Sequence, residues 1–281
     1  QWVWIPVQDV SEMYWIDETD KHIYGARYHF SQTGYSRYTP KSEPVVIKNK
    51  YKYDIKSEYL SIHLGGISQQ EFEEEIQQRF YEMAESVATY GGFYVGRYET
   101  GDIYEKVPVV RKMNTTLSGN KLGKVMNWYQ TYLRTKRIGI SNQNVDTNIL
   151  WEIQRDEVKK WLIDTENKDN EQMLDGISWG NFNNSEFEYE DTSGATVLKK
   201  SGTITKIPSG STEYTKSNNI YDFVGNVMEW TMSVVFESNR NLQGGYYCTK
   251  GEDIQYETYN EALSPHSSDF YMGSRATLYI K

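Results

Sequence analysis

The sequence predicts an α+β fold, and three observations support that class. Aromatic and β-branched residues near both ends of the chain are typical of strands. An amphipathic pattern near residue 70 is typical of a helix, and further helical patterns follow before residue 165. With 281 residues, 38% hydrophobic and 25% charged, the chain is long enough to bury a sizeable core.

The first third of the chain combines an expected strand with expected loops. Trp2–Val7 is short, aromatic and β-branched, and Pro6 predicts a strand edge or exit. The polar, tyrosine-rich stretch at about 14–66 contains scattered glycine and proline, which predicts loops and irregular hairpins.

A helix and a strand are expected next. Ser68 and Glu71 form a capping-box pattern, and apolar residues at helical spacing then predict a helix at about 69–88. Phe93–Glu99 alternates aromatic and β-branched residues, which predicts a strand.

Two more helices and a long irregular region complete the expected elements. Apolar spacing predicts helices at about 119–135 and about 149–162, the second capped by Asp146. The segment 165–219 is rich in Asn, Ser, Thr and Gly, which predicts long loops with short strands.

Charge and hydropathy exclude several classes of partner. The 30 Lys and Arg are scattered singly among 39 Asp and Glu, a net charge of −9, so nucleic acid is not expected as a partner. No window approaches about 18 consecutive apolar residues, so membrane insertion is not expected. Cys248 is the one cysteine of the chain, which excludes an intrachain disulfide framework.

One stretch carries a specific family resemblance. Gly-Asn-Val-Met-Glu-Trp-Thr at 225–231, preceded by Tyr-Asp-Phe-Val at 221–224, resembles the hallmark of the formylglycine-generating-enzyme or sulfatase-modifying-factor superfamily. That superfamily is a variant of the C-type lectin fold. Similar segments follow in the family's order: Trp2–Val7, Phe93–Glu99, Trp179–Asn181, Gly244–Tyr247, Gly273–Arg275 and Leu278–Ile280.

The resemblance covers the whole chain and implies its architecture. It implies one domain over 1–281, C-type-lectin-like and of the sulfatase-modifying-factor type, with a loop-rich insertion at about 14–66. The expected domain has twisted antiparallel sheets and about three flanking helices. In this fold the two terminal strands pair in one sheet, so Val3 and Leu278 are expected to lie adjacent.

The resemblance also implies a calcium site in the hallmark turn. In the family this turn holds a structural Ca²⁺ through carboxylate and backbone oxygens, and the matching positions are Asp222, Gly225, Val227 and Glu229. The alternative is that Asp222 and Glu229 pin the loop through hydrogen bonds to backbone N–H groups.

The metal centres of the enzymes in this superfamily are not expected. The formylglycine generators bind copper through two cysteines, whereas here Cys248 lies close to the first position and the second is absent. The iron-dependent members need clustered histidines, and the four histidines of this chain lie far apart in sequence. No other catalytic motif is found. Neither copper, iron nor catalysis is therefore expected.

The expected ligand-binding surface is the segment 246–274, which the C-type lectin fold uses for recognition. This segment is dense in tyrosine and acidic residues, a composition suited to recognition. The predicted ligand-binding residues are Tyr246, Tyr247, Cys248, Lys250, Glu252, Asp253, Gln255, Tyr256, Tyr259, His266, Asp269 and Tyr271. An alternative is a tyrosine-rich edge packed against a neighbouring chain.

The expected function is non-catalytic ligand or receptor binding. The chain resembles the variable proteins of diversity-generating retroelements, including phage tail receptor binders. The resemblance implies a protein or glycan receptor on a cell surface, and a place in a virion or on the outer cell surface. It also implies a homo-oligomer or attachment to a larger virion or surface assembly. The alternatives are a diverged enzyme of the superfamily and a structural virion component.

Overall fold

The computed structural model describes residues 1–17, 19, 23–38, 44–46, 67–101, 110, 112, 126–235, 239–255 and 261–281. They form a mixed α+β structure, as predicted. The helices are α1 (Gln69–Tyr90), α2 (Trp128–Thr135), α3 (Glu152–Asp164) and α4 (Asn170–Leu174). The strands are β1 (Trp2–Pro6), β2 (Tyr14–Ile16), β3 (Ile23–Gly25), β4 (Arg27–Ser31), β5 (Gly34–Tyr38), β6 (Pro44–Val46), β7 (Gly92–Gly96), β8 (Val145–Ile149), β9 (Phe187–Glu190), β10 (Thr196–Lys199), β11 (Lys216–Ser217), β12 (Ile220–Tyr221), β13 (Met228–Val235), β14 (Asn239–Gln243), β15 (Glu261–Leu263), β16 (Met272–Ser274) and β17 (Ala276–Ile280).

The first four-stranded sheet holds both ends of the chain, in the order β1-β7-β17-β8. Val3 pairs with Val95 of β7, and Thr277 of β17 pairs with the same Val95 from the other side. The prediction that both terminal strands share one sheet is therefore confirmed. The prediction that the two strands are direct neighbours is wrong, because β7 lies between them.

The second four-stranded sheet has the order β15-β14-β13-β16 and positions the candidate site. β14 runs antiparallel to β13 and ends beside its start, where Gln243 pairs with Glu229. β16 runs parallel to β13, and Met272 pairs with Met228. The loop after β14, the loop before β16 and the turn before β13 therefore meet at one end of this sheet.

Helix α1 confirms the capping-box prediction and extends to Tyr90. The Ser68 hydroxyl accepts from the Glu71 N–H at 3.2 Å, and the Ser68 N–H donates to the Glu71 carboxylate at 2.7 Å. The predicted apolar face is buried in the core: Phe72, Ile76, Phe80, Met83 and Val87.

The other two predicted helices begin later than expected. Asn127 caps α2 through the Gln130 N–H, so the helix starts at Trp128; residues 119–125 of the prediction lie outside the described residues. Asp146 is not a helix cap but lies in strand β8. Ile149 belongs to that strand as well, and its four-residue distance from Ile153 imitates helical spacing across a strand–helix boundary.

The remaining predictions for the chain path hold in part. The predicted strand Phe93–Glu99 ends at Gly96. The segment 165–219 contains the expected short strands and also α4, which Asp169 caps through the Gln172 N–H at 2.8 Å. Within 14–66, the described residues form the hairpins β2–β3 and β4–β5, and residues 47–66 lie outside the described part.

Aromatic side chains dominate the core between the sheets and the helices. The Trp128 and Tyr132 rings stack at 5.1 Å, and the Arg240 guanidinium lies 4.0 Å from the centre of the Trp128 ring. The Trp128 indole N–H donates to the carbonyl of Thr231 at 2.8 Å, which ties α2 to β13. In the described ranges, no helix is both long enough and apolar enough to cross a bilayer.

The close approach of β1 to β7 depends on Gly92. A Cβ there would lie 2.3 Å from the carbonyl oxygen of Ile5 and 2.5 Å from the Trp4 ring. We expect Gly92→Ala to destabilise the protein by about 1–3 kcal/mol, because the backbone and the half-buried Trp4 ring must both move. Chemical denaturation measures this difference.

The matched control is Gly139→Ala. Its Cβ would first meet a side-chain methyl group of Thr147, at 3.2 Å. This variant should lose less stability than Gly92→Ala; equal losses would contradict the role assigned to the β1–β7 contact.

Candidate functional site

The hallmark turn packs against the backbone of the Trp-Gly-Asn segment. Gly225 has a φ of +73°, and a Cβ there would lie 2.6 Å from backbone atoms of Asn181. The Asn226 N–H donates to the Asn181 carbonyl at 2.9 Å. Two motifs that are distant in sequence are thus in direct backbone contact, which requires glycine at 225.

The Asn226 side chain is the centre of a buried polar network. Its Oδ1 accepts from the Ile207 N–H and from Asn181 Nδ2, each at 3.0 Å. Its Nδ2 donates to the Glu99 carboxylate at 2.7 Å and to the Ile207 carbonyl at 3.2 Å. The Asn226 side chain therefore joins three separate segments of the chain.

Glu229 lies between two buried arginines. Arg155 of α3 contacts one carboxylate oxygen, and Arg275 contacts the other at 2.8 Å. Arg275 also donates to the carbonyls of Gly96, Tyr221 and Asp222, at 2.8–2.9 Å. Arg155 also donates to the carbonyl of Phe223. The two guanidinium groups therefore supply positive charge to the turn.

Asp222 is held by donors of the protein. Its carboxylate accepts from the Ser209 hydroxyl at 3.0 Å and the Gly210 N–H at 2.8 Å. Burial raises the pKa of Asp222, and these hydrogen bonds partly offset that effect.

The predicted calcium ligands fit a calcium ion poorly. Arg155 donates to one oxygen of Glu229 and Arg275 lies 2.8 Å from the other, and cations next to a binding site oppose a further cation. In the part of the chain that the structure describes, no three acidic, histidine or cysteine side chains form a group that could hold a metal ion. Gly225 and Val227 are buried beside the same arginine-supplied turn. Asp222 accepts from the backbone N–H of Gly210, as the hydrogen-bonding alternative predicts, whereas Glu229 pairs with arginines and not with backbone N–H groups.

The predicted binding segment begins in a turn whose backbone is held by hydrogen bonds to other segments of the chain. The Tyr247 N–H donates to the Asn226 carbonyl at 3.2 Å, and the Thr249 carbonyl accepts from the Asn183 N–H at 2.8 Å. The Gly251 N–H donates to the Asn184 side chain at 3.0 Å. Asn226 of the buried network and the half-buried Asn183 and Asn184 together hold this loop in position.

Three predicted tyrosines come together, and we call them, with Asp269, the tyrosine surface. The Tyr246 and Tyr271 rings stack at 4.6 Å, and the Tyr247 ring lies perpendicular to Tyr246 at 5.8 Å. All four residues are half-buried. Burial chiefly, and then the nearby Cys248 and Asp269, raise the pKa of Tyr247.

The other predicted ligand-binding residues take varied positions. Lys250 and Glu252 are exposed and form an ion pair at 3.3 Å. Asp253 accepts from the Lys250 N–H at 2.8 Å, so it caps the short 3₁₀ helix Gly251–Gln255. The His266 ring packs against Tyr129 of α2 at 5.2 Å. Tyr256, Tyr259 and the side chain of Gln255 lie outside the described residues.

Cys248 follows the tyrosine pair as a free, half-buried thiol. Burial raises the pKa of Cys248, and a hydrogen bond with Tyr247 partly opposes the shift. A raised pKa keeps the sulfur protonated at neutral pH, where a thiol is a weak nucleophile.

Sequence reasoning gave no role to Arg155, Arg275 or Glu99. Arg275 and Glu99 lie in segments that resemble family motifs. The resemblance indicates that these segments matter, but it does not identify the residues that Arg275 and Glu99 contact. Arg155 lies in a predicted helix with no distinguishing spacing. Each partner is far away in sequence, 74 residues from Arg155 to Glu229 and 127 from Glu99 to Asn226.

No protein-family model and no curated protein matches the chain. Eight solved chains match it. CarF is 14% identical, with a TM-score of 0.39 over 68% of this chain and 87% of CarF. PvdO from Pseudomonas aeruginosa is 12% identical, with a TM-score of 0.38 over 67% of this chain and 81% of PvdO. Treponema denticola variable protein 1 is 14% identical, with a TM-score of 0.39 over 66% of this chain and 84% of the variable protein. Similarity at this level does not establish the C-type-lectin subtype.

The arginine-supplied turn predicts how the protein responds to chelation. Because Arg155 and Arg275 already neutralise Glu229, we expect EGTA to leave the melting temperature unchanged. Arg275→Met should destabilise the protein by about 3–5 kcal/mol, since it leaves buried acceptors without their donor. Differential scanning calorimetry measures both effects. If EGTA lowered the melting temperature by several degrees and added Ca²⁺ reversed the change, the turn would bind calcium after all.

Glu99 predicts a pH-dependent stability. Burial, and then the charges of Asp222 and Glu229, raise the pKa of Glu99 well above its usual range. The folded chain therefore keeps a proton that the unfolded chain loses above about pH 4.3, so this contribution to stability falls as pH rises from there toward the folded pKa. We expect Glu99→Gln to raise the melting temperature at pH 8 and to change it little at pH 4.

The control for this experiment is Glu188→Gln on the exposed face of β9. It should not change the dependence of the melting temperature on pH. If Glu99→Gln followed the wild-type curve in parallel from pH 4 to pH 8, Glu99 would be ionised in the folded protein.

Proposed function

We propose that the chain is a non-catalytic binding protein that recognises its target through the C-terminal segment 246–274. The grouping of Tyr246, Tyr247 and Tyr271 on one half-exposed surface is the observation that carries this proposal. Clustered tyrosines offer large contact areas with few rotatable bonds, and aromatic anchors dominate binding energy at interfaces.

The anchoring of the loop supports the same function. Hydrogen bonds with Asn226, Asn183 and Asn184 hold the backbone of residues 247–251 in place. A surface that is ordered before binding loses less conformational freedom when a target docks. The buried network is thus suited to support a rigid recognition platform.

A diverged enzyme is the second candidate. It would depend on Cys248, because this is the chain's one cysteine and it follows the double-glycine turn. The raised pKa of this thiol is not that of an activated nucleophile, whose thiolate form is favoured by a lowered pKa.

The biological setting rests on the resemblance of the sequence. We propose a C-type-lectin-like, retroelement-diversified or phage tail receptor-binding protein, displayed on a virion or cell surface and directed at a protein or glycan receptor. A structural virion component is the alternative. A near-copy of the codons for 246–275 beside a reverse transcriptase gene would support the diversified class.

The tyrosines provide the test of the binding function. Labelled protein is applied to a panel of bacterial cells and to a glycan array, and the targets found are measured again with Tyr246→Ala/Tyr247→Ala. We expect binding to weaken by about 2 kcal/mol or more, while the melting temperature changes by only a few degrees.

Two variants serve as controls. Tyr90→Ala removes a 47% exposed tyrosine at the end of α1 and should leave binding unchanged. Cys248→Ser should change binding little; loss of a measurable oxidation in this variant would establish the enzyme instead. Unchanged binding by the double variant would contradict the proposed surface.

A further inference from the structure

The segment 246–274 carries a large share of the chain's negative charge. It contains one lysine against five acidic residues, a net charge of −4, whereas the whole chain has −9. Its lysine, Lys250, lies 3.3 Å from the Glu252 carboxylate and is therefore already paired. Among the side chains that the structure describes in this segment, Glu252, Asp253 and Asp269 outnumber that one lysine, and this excess of negative charge is suited to a positively charged partner.

The rings form a corner next to a carboxylate. Tyr246 and Tyr271 stack with an interplanar angle of 26°, and Tyr247 stands at 90° to Tyr246. Asp269 lies in the turn that carries Tyr271, where its carbonyl accepts from the Met272 N–H at 3.2 Å, and its charge contributes to the raised pKa of Tyr247. Perpendicular ring faces beside a negative charge are the features that bind an organic cation.

The protein uses the same contact inside its own fold. Arg155 lies 4.2 Å from the centre of the Phe223 ring, Arg240 lies 4.0 Å from Trp128, and Lys136 lies 5.0 Å from Tyr132. In all three cases a carbonyl or carboxylate completes the cation's partners: Arg155 pairs with Glu229, Arg240 donates to the Met232 carbonyl, and Lys136 pairs with Glu75. Ring and acceptor together thus recur as a cation site in this chain.

We propose that the tyrosine surface recognises a protein partner through an exposed arginine side chain. This rests on the proposed binding function and names the chemistry of its partner. A guanidinium group can stack on a tyrosine face while it donates to Asp269, and arginine is better suited than lysine to such stacking. The same carboxylates repel acidic glycans, and neutral glycans carry no positive charge for them to attract.

Three labelled peptides test the proposal. The first has two arginines in a glycine–serine background, the second has citrulline in their place, and the third has glutamate. Citrulline keeps the shape of arginine and removes its charge. By fluorescence anisotropy, we expect the arginine peptide to bind at least about tenfold more tightly than the citrulline peptide, and to weaken with added salt.

The variant for this experiment is Asp269→Asn. Asp269 Oδ1 accepts from the Phe270 N–H at 2.6 Å, and asparagine can keep that bond while losing the charge. We expect this variant to bind the arginine peptide at least about fivefold more weakly and to bind the citrulline peptide with unchanged affinity. Glu188→Gln, which removes an exposed carboxylate on β9, should affect neither peptide.

The outcomes separate this inference from the function on which it rests. Equal binding of the arginine and citrulline peptides, or no binding of either, overturns the arginine preference. If a cell or glycan target is still lost in Tyr246→Ala/Tyr247→Ala, the binding surface stands and its partner is of another class. If no target depends on those tyrosines, the proposed function fails as well.

Discussion

The buried ion pairs of Glu229 with Arg155 and Arg275 are the interaction on which the candidate site depends. They connect the start of β13 to helix α3 and to the residue before β17, and Arg275 extends the connection to the carbonyls of the hallmark turn. Buried charges are costly unless they are paired and hydrogen-bonded, so all three side chains must be in place together. This requirement makes the turn a rigid junction between both four-stranded sheets.

The proposed recognition surface lies next to this junction. Asn226, which follows the tight turn at Gly225, joins Asn181, Ile207 and Glu99 and offers its carbonyl to Tyr247. Hydrogen bonds to polar groups therefore hold the loop that begins at Tyr246, and its tyrosine rings are partly exposed to solvent. A surface of this kind tolerates changes of exposed side chains, because its backbone is set by buried residues that the surface does not contain.

Local patterns predicted the elements whose signals lie within a few residues. The capping box at Ser68 and the apolar positions of α1 needed no tertiary information. The start of α3 could not be predicted in the same way. Ile149 and Ile153 are spaced like neighbours on a helix face, but the chain changes from strand to helix between them. Apolar spacing records burial, and a buried strand end followed by a buried helix start has the same spacing.

The sequence alone determined where the hallmark turn, the lone cysteine and the acidic tyrosine-rich segment lie, because each is a matter of composition or short-range order. The tertiary structure decided which groups meet. It paired Glu229 with arginines 74 and 46 residues away and not with the adjacent backbone amides that one interpretation favoured. It also stacked Tyr246 on Tyr271 while it placed His266 on α2. The physical reason is that burial and charge pairing depend on distance in space, and the order of strands in a sheet brings together residues that no local pattern connects.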